Sequence, residues 1–196
     1  VTVNRFCASG MTALQMAADR IRVGEADVML AGGTESMSMV PMGGNKPSYN
    51  PEVFARDENL GIAYGMGMTA EKVAQQWKVS REAQDAFALR SHQRALKAIA
   101  AGEFADEMTP VEVIDRLPNL ATGETLLKTR TVNIDEGPRA DTSAEGLAKL
   151  RPVFAATLDP AGKATGYGSV TAGNSSQTSD GAGALILASE KAVKQF

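Results

Sequence analysis

The order strand, turn, helix, strand within the first 33 residues restricts the fold more than any other feature of this sequence. Val1-Thr2-Val3 reads as a strand that runs into the turn Asn4-Arg5-Phe6-Cys7-Ala8-Ser9-Gly10. From there Met11, Leu14, Ala17 or Ala18, and Ile21 recur at helical spacing, which predicts a largely buried helix stopped by Gly24. Ala26 to Ala31 is a short apolar run closed by Gly32-Gly33, the pattern of a strand covered on both faces. Strand, helix and strand predict a βαβ unit in a parallel sheet and an α/β fold class. The turn then lies at the carboxyl end of the first strand, the edge where ligands gather in open α/β sheets.

That turn holds Cys7, the single cysteine of the chain, so no intrachain disulfide can form and any special chemistry of the thiol must come from its surroundings. Ala8, Ser9 and Gly10 are small and allow close approach to the sulfur. A thiol at the start of a helix meets unpaired backbone N–H groups and the positive end of the helix dipole, which favour a nucleophilic thiolate. The same residue after Phe6 also fits a small core hydrophobe, and composition does not separate the two readings.

With 196 residues, 43% hydrophobic and 22% charged, the chain is long enough to bury a sizeable core. A net charge of −3 provides no basic face for nucleic acid. No stretch reads as a membrane span, and no group of residues reads as a metal site. One thiol fits a reducing compartment. The chain begins without an initiator methionine or leader and ends little more than one turn into a helix capped by Ser189, so it reads as cut at both ends.

Between Gly33 and Gly67 periodicity is lost and methionine is concentrated, which fits either a soft lining for an apolar ligand or gap-filling in a core. Thr69 is expected to cap a helix carrying Glu71, Val73 and Trp77, and Ser80 a longer one from Arg81 to about Ala101, with Gly102 beyond it. His92, the only histidine, falls among polar residues on that helix and reads as solvated. Val111 to Ile114 fits a short strand, and Thr122-Gly123 a turn. Thr142 to Glu145 has capping-box spacing. Gly166 to Gly181 is small, polar and turn-rich, either a backbone cradle for a carbonyl or amide or merely a loop. Ala182 to Ala188 reads as a second buried strand.

Three blocks, Asn4 to Gly10, Ala31-Gly32-Gly33-Thr34-Glu35-Ser36-Met37-Ser38, and Thr171-Ala172-Gly173-Asn174-Ser175-Ser176-Gln177-Thr178-Ser179-Asp180-Gly181-Ala182, together resemble a thiolase. Gly67 to Glu71, Ser80 to Ala88 and Leu147 to Pro152 extend the resemblance along the whole chain, and the third block is most similar to 3-ketoacyl-CoA thiolases of fatty-acid β-oxidation. The resemblance implies an acyltransferase in which Cys7 attacks the 3-keto carbon, acetyl-CoA departs, and CoA, a co-substrate with no covalently bound cofactor beside it, collects the acyl group from sulfur. It assigns Ser176 and Ala172 to the pantetheine, Met66 and Phe154 to its tunnel, and Arg139 to the nucleotide end of CoA. Where some biosynthetic relatives carry histidine beside that methionine, this chain has Gly65.

The implied organisation is the end of a first half-domain at 1–37, an inserted and mainly helical loop domain at 38–165 for CoA binding and oligomer contacts, and the start of a second half-domain at 166–196. The family's Gly-His-Pro histidine, Cys-x-Gly cysteine and Asn-Glu-Ala-Phe asparagine do not occur in this sequence. The 196 residues alone are therefore expected to be inactive. The resemblance further implies a homodimer or homotetramer of the full protein in the bacterial cytoplasm rather than in a peroxisome or mitochondrion. An acetoacetyl-CoA thiolase working in the condensation direction, another thiolase-fold enzyme such as a ketoacyl synthase, and a non-catalytic acyl-CoA or lipid carrier are the competing readings.

Overall fold

A computed structural model describes residues 1–56, 61–154 and 168–196. In chain order they form α1 (Ser9–Arg22), β1 (Val28–Ser36), α2 (Met66–Gln76), α3 (Arg81–Ala100), β2 (Val111–Pro118), β3 (Thr125–Val132), α4 (Ala144–Ala148), β4 (Asp180–Ala188) and α5 (Glu190–Gln195). Short 3-10 turns lie at Phe6–Ala8 and Pro51–Phe54. By compactness the chain divides into one unit made of Val1–Phe54 with Thr178–Phe196, and a second made of Ala55–Gln177.

In the first unit β1 and β4 pair antiparallel, with Val28 opposite Ala188 and Ser36 opposite Asp180. The α/β class stands, but the expected parallel βαβ sheet does not. A strand exists by its ladder to a neighbour, and residues 1–5 form no strand. The turn instead uses local side-chain partners: the Arg5 N–H donates to Ser9 Oγ at 2.8 Å and the Phe6 N–H to Asn4 Oδ1 at 3.1 Å. Nor do Gly32 and Gly33 close β1; they pair with Ala184 and Gly183, because glycine weakens a strand without removing its hydrogen-bonding groups.

Helix α1 packs on β1 and ends at Gly24 as its spacing predicts. Gly24 has φ +74°, its N–H donates to Ile21 O, and the Glu25 N–H donates to Arg20 O, so a left-handed residue satisfies the last carbonyls. The expected burial is not met. On α1 only Ala17 is buried and Met11 is 75% exposed, while Leu30 on β1 and Ile186 on β4 are 68% and 75% exposed. Two strands offer α1 one face and leave apolar side chains on the other in solvent. At the far end, Ser189 caps α5 through the Ala192 N–H, and Asp27 accepts from Ser189 Oγ and Lys191 Nζ, each at 2.8 Å. Those two donors hold the Asp27 carboxyl below the ordinary aspartate range.

In the second unit Ser80 caps α3 by accepting the Ala83 N–H at 3.2 Å, and Gly102 closes it with the same left-handed C-terminal pattern as Gly24. Two capping expectations shift. Helix α2 begins at Met66 with Gly65 as its cap, so Thr69 lies inside the helix and its hydroxyl donates back to Gly65 O, while Trp77 becomes the C-cap. Ser143, not Thr142, caps α4 through the Gly146 N–H at 3.0 Å. The hairpin of β2 and β3 turns at Gly123, φ +73°, and its first strand runs on to Pro118 rather than ending at Ile114.

Candidate active site and CoA-binding surface

Cys7 sits in the 3-10 turn two residues before the first residue of α1, and it is exposed. The turn is tightly determined. Phe6 adopts φ +50°, an unfavourable conformation for a residue with a Cβ, and its neighbours brace it. Ser9 Oγ accepts from the Arg5 N–H and donates to Phe6 O at 2.7 Å; Thr12 Oγ1 donates to Ala8 O at 2.9 Å and accepts from Arg5 Nη1 at 3.1 Å. No side chain caps α1 and no acid lies in its first turn, so nothing local offsets the positive end of the helix beside Cys7.

An open cavity of about 980 Å³ lies in the same unit, walled by Phe6 and Ser9 on either side of Cys7, by Gly33 and Glu35 of β1, and by Gly181 of β4. The Cys7 side chain is not itself among the walls. Ser38 holds Asp180, one of the cavity's walls: the Ser38 N–H and Oγ donate to the two carboxylate oxygens at 2.9 and 2.5 Å, and these bonds hold Asp180 below the ordinary aspartate range.

The remaining predicted site residues all lie in the second unit. Met66 is the first residue of α2 and 61% exposed, and Phe154 is half-buried with its ring edge against Gly67, in space that a Cβ would fill. Val153, the neighbour of Phe154, donates its N–H to Val170 O at 2.8 Å, one residue before the third block. Ala172 and Ser176 are exposed on that block. Arg139 is exposed and engages Asp141 through Nε and Nη2 at 3.3 and 3.2 Å, which holds the Asp141 carboxyl below its ordinary range.

Two findings were not visible in the sequence. His92, expected to be solvated, is half-buried, and its Nδ1 accepts the Arg139 N–H at 3.1 Å, so it fixes the backbone of a predicted CoA residue. Residues 169–174, which lead into and open the third block, form a loop whose amides are taken by side chains. The Ser169 and Val170 N–H groups donate to Glu71 Oε1 at 2.7 and 2.8 Å, the Thr171 N–H to Asn174 Oδ1 at 2.7 Å, and those of Gly173 and Asn174 to Thr171 Oγ1. At these positions the backbone is not free to cradle a ligand. Gly166 and Tyr167 of the expected cradle, and the 165/166 boundary, lie outside the described residues.

The chain is 45% identical over 188 residues to the 3-ketoacyl-CoA thiolase of Bacillus subtilis, an overlap of 95% of this chain and 44% of that protein. Among solved structures it is similar to the dimeric peroxisomal thiolase of Saccharomyces cerevisiae, at TM-score 0.72 and 36% identity over 100% of this chain and 44% of that one. It is also similar to human mitochondrial 3-ketoacyl-CoA thiolase in complex with CoA, at TM-score 0.68 and 39% identity over 99% of this chain and 46% of that one. The chain thus spans less than half the length of the relatives it matches. Residues 1–191 match the thiolase N-terminal domain, and the chain belongs to the thiolase family.

Proposed function

We propose that this chain carries the acyl-accepting thiol and the CoA-holding surface of a 3-ketoacyl-CoA thiolase, an acyltransferase that uses CoA to cleave a 3-ketoacyl-CoA into acetyl-CoA and a shortened acyl-CoA. The observation that carries this reading is the exposed Cys7 in a braced turn at the uncapped start of α1, in a chain of the thiolase family. Cys7 Sγ, as the thiolate, bonds to the C3 carbonyl carbon. The C2–C3 bond then breaks, its electron pair passes to the acetyl-CoA enolate, which takes up a proton, and the shortened acyl group stays on Sγ as a thioester. The thiolate of CoA attacks that thioester, releases the product and restores Cys7, so the kinetics are ping-pong.

Ala172, Ser176, Met66 and Phe154 meet the pantetheine in this reading, and Arg139 meets the nucleotide end. Residues 1–37 end the first half-domain, 38–165 form the inserted loop domain, and 166–196 open the second half-domain. The proton transfers and the developing oxyanion require groups that this sequence lacks in its family motifs, so these 196 residues alone turn over no substrate. The complete protein is a cytoplasmic homodimer or homotetramer without a covalent cofactor. No helix among the described residues is long and apolar enough to cross a membrane.

The test is thiolysis by the complete polypeptide. Cys7→Ser is expected to lower kcat by about a thousandfold or more, with CoA affinity kept within about threefold. Undiminished turnover in Cys7→Ser removes the nucleophile from Cys7. CoA binding with no turnover in the wild type favours the carrier instead.

A further inference from the structure

The opening of the third block is held by its own side chains and also by two acids on neighbouring helices. Glu71 of α2 receives three donors from the start of the loop: the Ser169 N–H, the Val170 N–H, and Ser169 Oγ at 2.8 Å. Asp85 of α3 is buried, accepts from Arg81 Nε at 2.7 Å, and at its other oxygen accepts from Asn174 Nδ2 at 3.0 Å. Asn174 spans the loop, donating also to Ser169 O at 2.9 Å while its own Oδ1 takes the Thr171 N–H. Arg81 carries the restraint onward by donating through Nη2 to Leu147 O and Leu150 O at 2.7 and 3.1 Å. Among the described residues no buried side-chain nitrogen or oxygen is left without a partner. Ala172 lies between the residues so fixed, and Ser176 follows two positions after Asn174.

We propose that Glu71 and Asp85 are positioning residues for CoA: from α2 and α3 they fix the 169–174 backbone so that Ala172 and Ser176 present to the pantetheine in one preset arrangement. The proposal rests on the reading that this loop meets CoA. A loop held in advance loses less freedom when the ligand docks, so weakening the restraint lowers CoA affinity without altering the chemistry at sulfur. Charged acceptors serving three donors at Glu71 and two at Asp85 matter most when removed, because the donors are left unsatisfied. Glutamine at position 71 keeps the shape and one carbonyl acceptor for both amides, whereas alanine keeps neither.

In the complete thiolase polypeptide, Glu71→Ala is expected to raise KM for CoA about tenfold with kcat within about threefold, and Glu71→Gln to recover most of the loss. The rate of Cys7 alkylation by iodoacetamide is expected to be unchanged, a readout that any disturbance at the sulfur would move. Should Glu71→Ala fail to fold, Glu71→Gln alone decides: a KM increase of about threefold at constant kcat supports the proposal, and an unchanged KM overturns it. An unchanged KM in folded Glu71→Ala, a loss confined to kcat, or an equal defect in the Ala and Gln variants overturns it as well. Ser176→Ala separates the levels. If it raises KM while Glu71→Ala does not, only the positioning role falls; if neither does, the placing of CoA on this loop falls with it.

Discussion

Replacing Gly173 with alanine sets two effects of opposite sign against each other in the loop that carries Ala172. The backbone there does not take a positive φ, so alanine would narrow the unfolded ensemble and stabilise by about 0.4–1 kcal/mol. Against this, a Cβ built on Gly173 meets Leu147 Cδ2 and Leu150 Cδ1, each at 2.5 Å. That is about 1 Å inside the optimal carbon–carbon separation. Leu147 is 5% exposed and has nowhere to go, whereas Leu150, 38% exposed, can swing toward solvent. Overpacking costs about 1–3 kcal/mol, and with one of the two clashes relieved the lower half of that range applies. The net expectation is a loss of about 1 kcal/mol. In equilibrium urea unfolding this lowers the midpoint by about 0.5 M at unchanged slope, for a slope near 2 kcal/mol/M. Adding Leu147→Ala removes the clash that cannot be relieved, so the double-mutant cycle should return about 0.5–1 kcal/mol of favourable coupling. A midpoint that rises in Gly173→Ala, or a cycle that closes to zero, refutes the packing argument.

Two further outcomes follow from the electrostatics. Asp141→Asn releases the exposed Arg139 guanidinium from its carboxylate partner, and CoA affinity is expected to improve by up to about fivefold at low salt and not at high salt. Isothermal titration at two ionic strengths checks this, and weakened binding at low salt contradicts it. The Ser38 bonds lower the folded pKa of Asp180 below its unfolded value, so their stabilisation is complete above the ordinary carboxylate range and is lost as pH falls through the lowered value. The Ser38 amide resonance is therefore expected to stay constant from pH 7 to about 4.5 and to move only in more acid solution; a transition centred above pH 5 contradicts the assignment.

The sequence carried the features governed by local chemistry. Ser80, Ser189, Gly24 and Gly102 cap or close the helices their spacing announced, because a hydroxyl or a left-handed glycine acts within one turn of its own position. Ser143 is hidden by Thr142, which offers the same hydroxyl one residue earlier, and Gly65 by Thr69, because a glycine cap has no side-chain acceptor to announce it; only the backbone decides in each case. The antiparallel partner of β1 lies about 150 residues along the chain, at β4, beyond the reach of any periodicity argument. For the site, Cys7 is exposed and lies two residues before α1. The restraint of the third block by Glu71 and Asp85 was not legible, since each reads locally as an ordinary helical acid. A cue existed in the abundance of donors in Ser169 to Asn174, a run too rich in amides and hydroxyls to satisfy itself.

The claim on which the functional account turns is that Cys7 bears the acyl group. Peptide mapping by mass spectrometry, after the complete polypeptide is mixed with a 3-ketoacyl-CoA in the absence of free CoA and quenched in acid, tests it most directly. The account predicts one acyl group, two carbons shorter than the substrate's, on the peptide containing Cys7, and its disappearance when CoA is added before the quench. An acyl group on any other residue, or none on Cys7 while acetyl-CoA is released, would contradict it.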